Sequence, residues 1–371
     1  MELHEKLSLA IAASDLRYVA GSILGAENHP RTWPFAQWGA MVAYETAKTL
    51  SDVHACRLEL GWELEIATAA RHGGKFFDVR RASQLDDVVA DFHALGIATH
   101  AAFYPDDRRG RLFDFLRDDF AVLADGPELV LTNVTGHFMV GLPPDRVVQV
   151  DSWGPHVHDL AMGIGQLTTA LVGEGRYELR THGNKDSESL TWWDGKIAKV
   201  VPAIFGGQLE PDLAMAVVSI LSTVQASRLW AHAECCGSCD AASLKHRFVV
   251  LHHAARSLQQ LAARPEILQP LASKHVHALT DSADLRTIVD APFRRLRNGW
   301  LHLGLGDIAA TLPTEVNILT PVQAYTQMDL LPFTELVDRG LDQIATGIGA
   351  WLAEPGDKGL RLFDCLHRPP G

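Results

Sequence analysis

Arg297-Asn298-Gly299-Trp300-Leu301-His302 puts a guanidinium, a primary amide and an imidazole in one short stretch. On a helix, Asn298 and His302 are four apart and share a face, and Arg297 lies partly round the cylinder within side-chain reach. These groups suit cleavage of RNA by its own 2′-hydroxyl. That reaction needs a proton removed from the hydroxyl and one delivered to the leaving oxygen, and an imidazole can do either. An arginine beside it can hold the phosphate and offset the charge that builds in the transition state. The catalytic candidates are therefore Arg297, Asn298 and His302, with no cofactor expected.

The spacing alone is weak evidence. With 18 His in the chain, an Arg-x4-His match is expected about once by chance. Arg247-Phe248-Val249-Val250-Leu251-His252 also fits. Arg297 is favoured by the Asn after it and by its late place among helices. With those features the segment resembles the higher eukaryotes and prokaryotes nucleotide-binding (HEPN) superfamily over roughly residues 211–355. The resemblance implies a four- to five-helix bundle that forms a homodimer. The two motifs would face each other across a composite, metal-independent endoribonuclease site that takes RNA. The bland alternative is a helix end with a surface Arg and a half-buried His before Gly304.

Two segments stand out in the first half. Gln37-Trp38-Gly39-Ala40-Met41 leads into a helix. Gly136-His137-Phe138-Met139-Val140-Gly141 and Val147-Val148-Gln149-Val150-Asp151-Ser152-Trp153-Gly154 read as strands of a hairpin, with His137 beside Asp151. An Asp there would orient an imidazole, as in a nucleophile–base–acid triad. This order resembles papain-like cysteine peptidases over residues 20–180. It implies Gln37 as the oxyanion residue, His137 as base and Asp151 as orienter. The nucleophile falls on Met41, or on Trp38 in the leader-peptidase variant, and neither can attack a carbonyl. The half is thus expected to be a non-catalytic relative that binds a peptide or protein. A cysteine-type hydrolase would have to use Cys56, about four helical turns beyond Met41.

His232-Ala233-Glu234-Cys235-Cys236-Gly237-Ser238-Cys239 offers His232, Cys236 and Cys239 as metal ligands. The segment reads better as a turn between two helices, because no second ligand pair is evident. His72-Gly73-Gly74-Lys75 reads as a helix C-cap. His156, His158 and Asp159 read as an exposed loop before they read as a metal site.

The chain has 371 residues, and single cores seldom grow past roughly 250–300, so two domains are expected. Residues 1–205 form an α+β domain, 211–355 an all-α bundle and 356–371 a tail, with Phe205-Gly206-Gly207 as the hinge. At 47% apolar and 21% charged, the composition suits buried cores and argues against disorder. Most of the net charge of −12 lies in residues 1–210, which disfavours nucleic-acid binding by bulk charge. Neither a leader nor a membrane span is legible, and five cysteines without a framework suggest a cytoplasmic protein.

The expected elements follow from periodicity and punctuation. Helices are expected over 41–50, 57–71, 84–95, 211–233, 240–263, 281–303 and 335–352. Strands are expected over 97–103, 128–133, 137–142, 146–150 and 177–181.

Overall fold

The computed structural model describes residues 2–24, 32–54, 63–77, 82–104, 118–126, 128–172, 190–231 and 237–353. The first half opens with four helices: α1 (Leu3–Leu24), α2 (Thr32–His54), α3 (Glu63–Phe77) and α4 (Ala82–Phe103). A hairpin of β1 (Phe120–Asp125) and β2 (Glu128–Thr132) turns at Gly126, whose φ of 58° suits a residue without Cβ. Then come α5 (Asn133–Met139), α6 (Pro144–Val147), α7 (Trp153–Val172), β3 (Leu190–Gly195) and α8 (Ile197–Val200). The sheet has the order β2-β1-β3 and is antiparallel throughout, with Val122 opposite both Thr132 and Trp193. Among the described residues the protein is mostly helical, with this one small sheet.

The hairpin expected from 137–142 and 146–150 is not formed. Thr132 caps α5 through its side chain, and Thr135 answers it from three residues on. That reciprocal capping starts a helix where β2 ends. The run Phe138-Met139-Val140 is buried all round, and such a run fits a buried helix as well as a strand. Pro144 opens α6 from its first turn instead of completing a β-turn. The expected strand 97–103 is the end of α4. Residues 177–181 lie outside the described residues.

The second half comprises α9 (Pro211–Ala231), α10 (Gly237–Ala262), α11 (Pro270–Thr280), α12 (Ala283–Val289), α13 (Ala291–Leu301), α14 (Thr320–Thr326) and α15 (Leu330–Leu352). These seven helices exceed the four or five expected. Proline is the reason for the division: Pro270, Pro292 and Pro321 each sit in the first turn of a helix. The single helix expected over 281–303 is therefore split at Asp290, which is extended as the N-cap of α13.

One apolar core runs from Leu7 to Leu352 through both halves. α9 packs on α4 and β2, while α10 packs on α1 and α15. The expected hinge is a sharp corner: Phe205, Gly206 and Gly207 are all left-handed, with φ of 54°, 65° and 69°. It is also clamped, because the Phe205 ring meets Trp351 at 4.6 Å. No single helix among the described residues is long and apolar enough to cross a membrane. The bent pair 197–207 and 211–228 is apolar enough only when taken together and turns through 74° at this corner.

Candidate functional site

Helix α13 carries the Arg297 motif. Its amphipathic sequence buries Phe293, Leu296 and Trp300 and ends with His302 as the C-cap. Leu303 follows with φ of 54°, a conformation a branched side chain rarely adopts. Arg297 is only 2% exposed, and its Nη1 donates to Asn298 Oδ1 at 2.8 Å. A phosphate does not reach the guanidinium in this arrangement, contrary to the direct clamp expected from the sequence. Asn298 is exposed, and the His302 side chain is 40% exposed. His302 Nδ1 lies 3.0 Å from Glu45 Oε1 on α2, a carboxylate side chain only 13% exposed.

The other Arg-x4-His match is built differently. Arg247 pairs with Asp338 of α15, and His252 is 2% exposed within the core. His252 and its neighbour His253 face inward from α10. Burial chiefly holds His253 well below the usual imidazole range, and the charges of Arg297, His252 and His302 add to that. Arg297 and His302 are thus electrostatic neighbours of one buried, neutral ring.

His253 also belongs to the wall of a small cavity between α2, α9 and α10, with Gln37, Trp38, Met41, Ser227 and His246. Gln37 Nε2 and Trp38 Nε1 are buried there without a hydrogen-bond partner among the described residues. Trp38 stacks on His246 with centroids 4.7 Å apart. Burial, followed by the charge of Arg247, depresses His246 to about 3, so this ring is neutral near pH 7. Helix α3 comes close because Gly73 has no side chain: a Cβ there would sit 2.9 Å from Met41 Sδ. The Gly73 region is helix interior, not the C-cap its sequence suggested.

The remaining peptidase-like residues are spread out. His137 Nδ1 lies 3.2 Å from Thr99 Oγ1, its ring meets Trp153 edge-on at 4.6 Å, and burial lowers it to about 4. Asp151 is exposed on the short turn Val150–Ser152. Gln37 and Met41 share the cavity, whereas His137 and Asp151 have lost the hairpin that was to pair them. Cys56, His232 and Cys236 lie outside the described residues, and Cys239 falls in the first turn of α10. No group of three or more metal-ligating side chains occurs among the described residues. His156 is not in an exposed loop: it is buried in α7, with Nε2 2.8 Å from the Val140 carbonyl and Arg146 Nη1 3.3 Å from its Nδ1.

Comparisons with known protein families, with characterised proteins and with solved structures return no match. Glu45 is the member of the cluster that sequence reasoning missed. It belongs to an ordinary helical stretch, and only the packing of α2 brings it to His302.

Proposed function

We propose that the protein is an endoribonuclease that cuts single-stranded RNA at His302, working as a dimer in the manner the HEPN resemblance implies. One observation carries this reading. Of the two Arg-x4-His matches, Arg297–His302 puts its imidazole at the surface, and Arg247–His252 does not.

In the proposed reaction, His302 Nε2 takes the 2′-hydroxyl proton as the 2′-oxygen attacks phosphorus. The bond to the 5′-oxygen breaks, and that oxygen takes a proton from the imidazolium of the second copy. The products are a 2′,3′-cyclic phosphate and a 5′-hydroxyl. Asn298, exposed one turn before His302, is available to bind the phosphate. Arg297 acts from below, fixing Asn298 and placing positive charge under the site. Protons and charge are thus handled by side chains, so activity in a chelator is expected. The test is cleavage of end-labelled single-stranded RNA by wild type and His302→Ala. Loss of at least a hundredfold in the variant is expected, and equal cleavage by both overturns the reading.

Burial of Arg297 favours a second reading, a non-enzymatic interaction protein. The helical half would then hold two copies together, and the first half would bind a peptide or protein. It predicts intact RNA with wild type and a dimer that persists in His302→Ala.

A further inference from the structure

We infer that Glu45 is the positioning residue for His302, so that the first half supplies part of the RNA-cleaving site. This rests on His302 being the base in the proposed reaction. Two contacts from different helices converge on the end of α13. Glu45 of α2 holds His302 Nδ1 at 3.0 Å, and Ser8 Oγ of α1 donates to the Leu303 carbonyl at 2.8 Å. The second contact fastens the left-handed residue immediately after the imidazole.

The chemistry follows from which nitrogen is engaged. A carboxylate at Nδ1 keeps the proton there and leaves the lone pair on Nε2. It also stabilises the imidazolium formed when Nε2 takes a proton, as in other carboxylate–histidine pairs. The pair differs from a surface salt bridge between two long, mobile chains. Its carboxylate is mostly covered by protein, and its imidazole is fixed at a helix end. With Nδ1 engaged by Glu45, Nε2 is the nitrogen left to meet a substrate on an imidazole that is 40% exposed.

Glu45→Gln keeps the shape and removes the charge. In RNA cleavage it is expected to lower kcat by about ten- to a hundredfold with KM within about twofold, and Glu45→Asp is expected to recover part of the loss. The ¹⁵N spectrum of the His302 ring should show the Nδ1–H tautomer in wild type and a mixture in Glu45→Gln. An unchanged kcat together with an unchanged tautomer overturns the inference. Should wild type cut no RNA, the endoribonuclease reading fails separately and the ring spectrum alone decides whether Glu45 sets the tautomer. If Glu45→Gln does not fold, Glu45→Asp serves for both measurements, with retained tautomer and partial kcat expected. A wild-type ring already in the Nε2–H form overturns the inference.

Discussion

Asp15 of α1 and Lys245 of α10 form an ion pair whose side chains are both almost closed to water. Burial raises the Asp15 carboxyl above its ordinary range, and Lys245 pulls it partly back. Charges taken out of water on both sides are costly unless both are present. Asp15→Ala or Lys245→Ala should each cost about 3–5 kcal/mol in urea unfolding, whereas the double change to Leu and Met should be close to neutral. Small losses in both single variants would show that water reaches the pair.

Gly141 has φ of 66°, and a Cβ there would stand 2.7 Å from the backbone nitrogen of Ala69 in α3. A rigid helix backbone cannot yield as a side chain can. Gly141→Ala should therefore lose about 3 kcal/mol from overpacking and left-handed strain together. Gly154, where an added Cβ meets nothing within 4 Å, is the control. Its Ala variant should unfold at the wild-type urea concentration or slightly above.

His137 gives the protein a defined acid sensitivity. Its unfolded imidazole takes a proton near pH 6.5, and the buried ring resists until about 4. The unfolded chain therefore binds the extra proton, and stability falls as pH drops from 6.5 towards 4. The contribution reaches about 3 kcal/mol across that window. His137→Gln cannot titrate, so its urea midpoint should change less between pH 7 and pH 5 than that of wild type.

Arg247→Gln separates the two Arg-x4-His matches. Asp338, its partner, is about half exposed, so the pair should contribute about 1 kcal/mol or less. RNA cleavage should stay within about twofold of wild type. Arg297→Gln should lose cleavage by about a hundredfold. Equal effects of the two variants would contradict the assignment of the site to α13.

The second half was the more legible in sequence, and the reason lies in its punctuation. Pro211 opens α9, a long run with no Pro and no Gly after Gly237 marks α10, and an amphipathic run marks α15, so these helices are readable within a few residues. The first half misleads because its buried segments lack contrast. Phe138-Met139-Val140 carries no polar face, so only the Thr132–Thr135 cap decides for helix. β1 and β3 were missed because Asp119 and Asp194 give their ends the look of loops. The motif itself could be read at Arg297 and His302, whereas Gln37 and Met41 stand out in the sequence only as peptidase-like positions, not as walls of a cavity. Glu45 could not, since a glutamate on a helix has no local mark that tells a solvated side chain from a partner.

The clamped corner at Phe205–Gly207 also bears on how the chain is made. A nascent chain that has emerged only as far as the corner already contains all three strands of the sheet. It still lacks α9, which covers β2 and α4, and Trp351, which closes on Phe205. The first half thus leaves the ribosome with its apolar underside open until α9 follows, and Phe205 stays uncovered until the last long helix arrives. Such an interval is when a chaperone would find it.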